Sequence, residues 1–503
     1  MSEATSVKEV ASPVFSFESN LQFISGSDRV RHTGLETPLE YVLSKFKLPF
    51  TPYSYQTAVF NQTAGYDNVA LYAEVGTGKT VMSTLQALYM YMTRGTKTII
   101  LLPPVLAITW KRWLDSLSTV DGKPISSGIY VGTPAARAKL RSEDLMSWDF
   151  VIMSLGVFKN DVEYLTNLYE DTPLYTILDE AAAIKNFRTG NFKLFQEFTK
   201  GSPKTLLTGT PLTTPLDAYA YIKLLEPGIY RTYKQFENIH VGERDFFNNI
   251  VSWRGLDNLR ERFNMSSITL LKQDVLSDLP EMTYVPRFYD LDPAHYRLYR
   301  SLMDEQLLPL KDGGKIDATT PQRMFNCAQQ IVMNYGYFSQ NPDLNSRGLE
   351  LTLELLEELG DKKLLIFANY KMTIRLLEEK LYEFNPVTVF SETPNRQDSI
   401  DKFNEDPSCR VMIAQPKSGG VGLNLQESCH HVLFVELPYT PPDFHQAVGR
   451  VYRSGQKFPC FIHIAVASKT VQVRRHNDLL KKDELVNQVQ RSYANLRDMI
   501  YGV

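Results

Sequence analysis

Residues Ala73-Glu74-Val75-Gly76-Thr77-Gly78-Lys79-Thr80 stand directly behind an apolar run, Val69 to Tyr72, and directly ahead of a segment with helical periodicity. A glycine-paired turn between a strand and a helix reads as a phosphate-binding loop, and it commits this part of the chain to an α/β sheet whose strands end at a ligand crevice. Gly76 and Gly78 let the backbone approach phosphates, while the exposed N–H groups and the helix N-terminus supply positive potential. Lys79 reaches the terminal phosphates, Thr80 can ligate magnesium, and Glu74, Val75 and Thr77 complete the loop. This loop alone predicts hydrolysis of a nucleoside triphosphate.

At 503 residues the chain exceeds what one core supports, which predicts two large domains with smaller appendages. A hydrophobic share of 43% against 22% charged residues places it among globular proteins rather than disordered or fibrous ones. With a formal charge of −3, any nucleic-acid contact must come from a local basic groove, because the global field does not attract DNA. Cys327, Cys409, Cys429 and Cys460 are scattered without metal-ligand or dithiol spacing, which fits a reducing compartment. The N-terminus lacks the apolar core of a signal peptide, and the most apolar run, Thr98 to Ile108, is broken by Pro103-Pro104. A cytoplasmic protein without membrane contact is the expectation.

Residues 1–44 lack sustained periodicity and read as an arm or a small appended element. From about 45, VALYAE, TIILLP, FVIMS, LYTILDE and TLLTGT are each followed by a helix-length segment. That alternation predicts a mostly parallel sheet with helices on both faces. Between about 226 and 361 the pattern turns helical and rich in Tyr, Phe and Leu, as insertions around an interdomain linker would be. The alternation resumes with KKLLIFANY, VTVFSE, CRVMIAQP, HHVLFVEL and FIHIAVA, so a second α/β lobe follows. We expect lobe 1 over 45–285, lobe 2 over 286–470, each with a helical insertion, and a C-terminal helical brace over 471–503 lying on lobe 2.

One hundred residues after Lys79, the apolar run from Leu174 to Leu178 ends in Asp179-Glu180. Acids at the carboxyl end of a buried strand face the nucleotide crevice: Asp179 is placed to hold magnesium, through water, and Glu180 to orient and deprotonate the attacking water. The next strand ends in Leu207-Thr208-Gly209-Thr210-Pro211, whose hydroxyls and turn are suited to sensing the γ-phosphate. In the second lobe Gln446, Arg450 and Arg453 fall at i, i+4 and i+7 of an expected helix. If the lobes close, Arg450 and Arg453 act as arginine fingers. The turn from Ser418 and Gly419 through Gly422 to Leu425 can offer backbone N–H groups to a nucleic-acid phosphate while Gly422 touches the nucleotide site. Upstream, in Pro52-Tyr53-Ser54-Tyr55-Gln56, the Gln56 amide can read adenine and a neighbouring aromatic can stack on the base. Each of these also has a plain reading as a turn or a solvated face, and the nucleotide reading rests on their joint occurrence.

The order and spacing of LYAEVGTGKT, LLPPVLAITW, the acid run from Asp179 to Asn186 ending in Ile-Lys-Asn, LLTGTPL, LLKQDVLSDLP, SGGVGLNL and QAVGRVYRSGQ resemble the superfamily-two helicases, and within them the Swi/Snf-like DNA translocases. The resemblance spans about residues 50 to 475. It implies two RecA-like parallel-sheet lobes in tandem, ATP with Mg2+ in the cleft, and DNA, duplex or branched, across both lobes. It further implies nucleic-acid contacts at Pro103, Trp110, Ser154, Lys417, Ser418 and Gly419. Asp274 and Leu279-Pro280 would end the first lobe's insertion. The chain departs from the pattern at Ala182, where the family has histidine, at Gly449, where an acid is more usual, and at Thr213-Thr214, where asparagine is expected. Both acids are kept, so the coupling of hydrolysis to DNA is the property these changes touch. The implied activity is a DNA-stimulated ATPase that moves along duplex DNA, a monomer when off DNA, with a protein cargo on the DNA as a further partner. An unwinding or branch-migrating helicase is the alternative, ahead of a nucleotide-gated clamp with negligible turnover and of an RNA-directed motor.

Overall fold

Every apolar run named above becomes a strand in the computed structural model, which describes residues 37–490 apart from 75, 144, 276–278, 306, 310–314, 318–319, 417–422 and 454. In lobe 1 the strands are β1 (Asn68–Ala73), β2 (Lys97–Leu102), β3 (Ser127–Ile129), β4 (Phe150–Ser154), β5 (Leu174–Asp179), β6 (Lys204–Thr208) and β7 (Ser267–Leu270). They form one sheet in the order β3-β4-β2-β5-β6-β1-β7, with every pairing parallel. Buried on both faces, these strands are continuous apolar runs rather than alternating ones. One apolar cluster gathers Leu101, Met153, Leu178 and Leu206 on one face, and another gathers Leu71, Ile100, Ile177 and Leu207 on the other.

Lobe 2 repeats the plan with β8 (Met282–Tyr289), β9 (Leu364–Phe367), β10 (Val387–Val389), β11 (Val411–Ala414), β12 (His431–Phe434) and β13 (Cys460–Ala467). Their order is β8-β13-β12-β9-β11-β10, again all parallel. Because β8 pairs with β13 along its whole length, the second sheet already begins at Met282. A boundary at 285/286 would cut that strand in two. The insertions are also not purely helical, since β7 and β8 both fall between 226 and 361.

Two terminal readings change as well. Of the N-terminal arm, residues 1–36 lie outside the described residues, whereas Pro38–Leu43 is a helix opened by a Thr37–Glu40 capping box and anchored by Val42 in the lobe 1 core. The C-terminal helix Val471–Gln490 does not lie on lobe 2 alone. Leu479 and Leu480 pack into the lobe 2 core, but Val486 and Val489 belong to the lobe 1 core, and Arg260 Nε donates to the Gln488 carbonyl at 2.6 Å. The brace thus ties the two lobes together; its expected continuation over 491–503 lies outside the described residues. No helix among the described residues is long and apolar enough to cross a membrane.

Candidate nucleotide site between the lobes

The phosphate loop leaves β1 and delivers the chain into the helix Lys79–Arg94. Gly76 and Gly78 both have left-handed backbones, φ 93° and 81°, which a side chain would strain. At Gly78 a Cβ would also meet the Gln56 amide, which is packed against the loop. Gln56 is buried, its Oε1 accepting from the Tyr53 N–H at 3.1 Å and its Nε2 donating to the Thr77 carbonyl at 3.4 Å. The Tyr55 hydroxyl donates to the same carbonyl at 3.0 Å. In this structure Gln56 therefore braces the phosphate loop, and the nearby exposed aromatic is Tyr53, stacked on Tyr55.

Lys79 donates from Nζ to the Ala73 carbonyl at 2.6 Å, and Thr77 Oγ1 donates to the Glu74 carbonyl at 2.8 Å. Thr80 is half-buried at the first turn of the helix, where its hydroxyl is next in line after Lys79. At the end of β5, Asp179 is buried and both of its oxygens accept: Oδ1 from the Glu180 N–H at 2.9 Å and Oδ2 from the Trp110 indole at 2.8 Å. Each oxygen keeps a further lone pair, so the donor set of Thr80 and Asp179 suits Mg2+, which keeps most of its water and takes the rest of its shell from phosphates.

Trp110 requires correction as a nucleic-acid contact. It is 2% exposed, and its indole is committed to Asp179 in the interior. The residues on that stretch which do face solvent are Pro104, Val105, Ile108 and Thr109. Pro103 and Ser154 sit together at the carboxyl ends of the paired strands β2 and β4, half-buried, with the Ser154 hydroxyl capping the helix Leu155–Leu168 through the Val157 N–H. Val75, Lys417, Ser418, Gly419 and Gly422 lie outside the described residues.

Glu180 holds a left-handed backbone, φ 54° and ψ 51°, a conformation that costs an L-residue about 1 to 3 kcal/mol. Such strain between Asp179 and the short helix Ala181–Ile184 aims the carboxylate into the cleft, where it lines the space with Gly209, Thr210 and Gln446. Burial raises its pKa above the usual carboxylate range, Lys79 and Arg450 pull it down, and Asp179 pushes it further up. The charge of this carboxylate is thus set by burial and Asp179 on one side and by the cations of Lys79 and Arg450 on the other. The departures from the family pattern meet nearby: Lys185 donates from Nζ to Thr213 Oγ1, and Asp217 accepts from the Thr213 and Thr214 N–H groups at 2.7 and 3.1 Å. A lysine and a threonine thus join the acid turn to the loop after β6 without any side-chain polarity at Ala182.

From lobe 2, the helix Pro441–Val448 carries Gln446 into the cleft but ends before the arginines. Arg450 and Arg453 are not on a helical face; they lie in the turns that follow the Gly449 cap. The expected i, i+4, i+7 array is broken there, yet the turn points both guanidinium groups toward lobe 1. Arg450 is 5% exposed, its pKa lowered to about 10 by burial and by Arg453, with Glu180 opposing. Arg453 lies over the phosphate loop, its Cβ 3.8 Å from the position a Cβ on Gly76 would take, and its Nη1 donates to Asn424 Oδ1. The buried Nε atoms of both arginines have no hydrogen-bond partner among the described residues. Two cations closed over a phosphate loop, each with a donor to spare, suit a phosphoryl oxygen.

Lys272, which the sequence reading passes over, enters the same space. It follows β7, and its main-chain N–H donates to Glu74 Oε2 at 2.6 Å. Its Nζ crosses to lobe 2 and donates to the Tyr452 carbonyl at 2.6 Å. The side chain is 3% exposed, and burial lowers its pKa to about 8, with Glu74 opposing and Arg453, Lys79 and Arg450 adding to the fall. The segment LLKQDVLSDLP marks this lysine only as part of the family resemblance; the pairing of β7 with β1 is what brings it to the loop.

Comparison with known proteins identifies the family. The SNF2-related domain model matches residues 59–333 and the helicase conserved C-terminal domain model matches residues 348–455. An uncharacterized ATP-dependent helicase of Mycoplasma pneumoniae is 24% identical over 426 residues, covering 82% of this chain and 39% of that protein. The TATA-binding protein-associated factor MOT1 of Saccharomyces cerevisiae is 25% identical over 447 residues, covering 75% of this chain and 23% of that protein. The chain therefore spans less than half the length of these relatives. The Sulfolobus solfataricus SWI2/SNF2 ATPase core, solved in complex with dsDNA, aligns over 89% of this chain and 98% of its own with 20% identity and a TM-score of 0.41.

Proposed function

The chain belongs to the SNF2-related family of ATP-dependent helicases, with a helicase C-terminal domain behind the SNF2-related one, and from that premise we propose that it is a DNA-stimulated ATPase that translocates along duplex DNA. One observation carries the reading: Lys79, Asp179 and Glu180 of lobe 1 converge with Arg450 and Arg453 of lobe 2 on a single cleft. In this reading Thr80 and Asp179 would hold Mg2+, which would supply neutralisation of phosphate charge when bound. Lys79 exchanges the Ala73 carbonyl for the terminal phosphates. Glu180 accepts the proton of the attacking water, and Arg450 and Arg453 stabilise charge on the transferred phosphoryl group. Because the arginines come from the other lobe, each closure and opening changes the spacing between lobes, which is the motion that advances a motor along a strand.

ATP hydrolysis measured without nucleic acid and with single-stranded, duplex and forked DNA and RNA, at fixed salt and with Lys79→Ala as control, tests this reading. Stimulation by plain duplex, lost in the variant, is the expected result; turnover that no polymer raises would sink it. A second reading, strand separation, draws support from the lobe 1 insertion. There the turn at Asp245–Asn249 is pinned by side-chain and backbone hydrogen bonds and presents Phe246 and Phe247 at 96% and 80% exposure. A strong preference for forked DNA that disappears in Phe246→Ala/Phe247→Ala would favour it.

A further inference from the structure

Lys272 is the last group of lobe 1 to touch the cleft before the chain crosses into lobe 2 at β8. It is fixed at both ends. Below, β7 runs beside β1, the Glu74 N–H donates to the Leu270 carbonyl at 3.1 Å, and the Lys272 N–H returns a bond to the Glu74 carboxylate. Any movement of the phosphate loop is therefore passed to Lys272 through two hydrogen bonds. Above, its ammonium holds the carbonyl of Tyr452, the residue directly before Arg453 and two after Arg450. It also lies 5.9 Å from the centroid of the Tyr452 ring and 3.5 Å from where a Cβ on Gly449 would stand. The lysine is buried and its ammonium donates to the Tyr452 carbonyl, so that bond is an expensive one to break without a replacement.

We propose that Lys272 is a positioning residue that couples the phosphate loop to the arginine turn, setting how readily the lobes close and where Arg450 and Arg453 stand when they do. It acts through the Tyr452 carbonyl and touches no reacting atom. Gly449 adjoins the same device: a Cβ there would stand in ordinary contact with the ammonium, 3.5 Å away, and its tightest neighbour would be the His445 carbonyl at 3.2 Å. The part of the proposal that concerns turnover rests on the ATPase reading above, while the part that concerns closure does not.

Two measurements on the full chain separate them. Lys272→Met keeps the aliphatic stem and removes the donors, and Lys272→Arg restores a cation that can reach the same carbonyl. With fluorophores on exposed sites of each lobe, energy transfer in the nucleotide-free chain is expected to shift toward a more open distribution in Lys272→Met and to return in Lys272→Arg. In DNA-stimulated hydrolysis, Lys272→Met is expected to lower kcat at least tenfold with the KM for ATP changed less than about threefold, again with recovery in Lys272→Arg. An unchanged lobe distribution in a folded Lys272→Met, as judged by its thermal unfolding, would overturn the coupling even if the wild-type chain hydrolyses nothing. A loss of kcat that the arginine does not recover would overturn the positioning role.

Discussion

The two lobes share a strand plan but meet the cleft in opposite ways. On the lobe 1 side three charged groups bond inside their own lobe, Lys79 on the Ala73 carbonyl, Asp179 between the Trp110 indole and the Glu180 N–H, and Glu74 on the Lys272 N–H, while the Lys272 ammonium reaches across to the Tyr452 carbonyl. On the lobe 2 side Arg450 is buried and Arg453 half-buried, and although Arg453 Nη1 donates to Asn424, the Nε atoms of both meet no partner among the described residues. Buried donors without partners are costly, so lobe 2 gains more from a phosphoryl oxygen entering the cleft than lobe 1 does. Under the proposed function this difference would make lobe 1 the holder of the nucleotide and lobe 2 the side that responds to it.

That asymmetry is broken most sharply by Arg450→Ala. If lobe 2 acts at the transition state, kcat falls by about a thousandfold or more, as for other arginine fingers, while nucleotide affinity changes little. Equal losses in affinity and kcat would instead make Arg450 a ground-state binder. Glu180→Gln is next, with a loss of about a hundred- to ten-thousandfold in turnover and retained ATP binding, measured by single-turnover hydrolysis beside equilibrium binding. Residual turnover near the wild-type level would remove Glu180 from the role of base. Trp110→Phe is expected to cost less. It deletes one hydrogen bond to a carboxylate, worth about 1.5 to 3 kcal/mol, and leaves most of the packing in place. A fall in kcat of roughly tenfold, rescued in part by higher magnesium, would show that the indole orients Asp179 for the metal.

How much of this was legible beforehand follows from what each residue needed. Ten strands read directly, nine interior to their sheets and Val387–Val389 at an edge, because strands covered on both faces are plain apolar runs. The phosphate loop and the acid pair read directly too, since their chemistry is local in sequence. Three edge elements did not. Ser127–Ile129 is only three residues long, Ser267–Leu270 is short and mixed, and Met282–Tyr289 contains Pro286, which is tolerated there only because β8 has a free edge. The arginine turn misled because Gly449 terminates a helix whose periodicity continues on paper through Arg453. Trp110 misled in the other direction: an aromatic in a motif expected near DNA turned out to be buried by a partner 69 residues away. The reach of Lys272 and the brace's hold on lobe 1 were hidden for the same reason, since their partners, Tyr452 and the lobe 1 core, are set by tertiary pairing alone.

The smallest effect expected is on stability, and it sharpens the contrast from a different side. Lobe 2 carries three buried titratable groups away from the cleft whose signs oppose one another. His431 and His463 stand on the neighbouring strands β12 and β13 with rings stacked at 5.9 Å and ring nitrogens that meet no partner among the described residues. Burial pushes their pKa values down to about 3 and about 4, with His430, His463 and Lys362 adding to the fall at His431, and Arg287 adding to it but Glu358 opposing at His463. Neutral in the fold and protonated when unfolded, they withdraw stability as pH falls below about 6.5, each by at most about 1.4 kcal/mol per pH unit. Glu436 works against them. Burial raises its carboxyl to about 7 despite bonds from Thr373, Asn369 and Tyr370, so it binds its proton more readily folded than unfolded, and acidification from 7 toward 4.5 adds stability. Urea midpoints taken between pH 5 and 7 should therefore fall more steeply toward acid in Glu436→Gln than in the wild type, and less steeply in His431→Phe, which keeps the stacked ring without its charge. Identical slopes in all three would mean that these groups are hydrated in solution, and that lobe 2 is more open beneath its sheet than its packing shows.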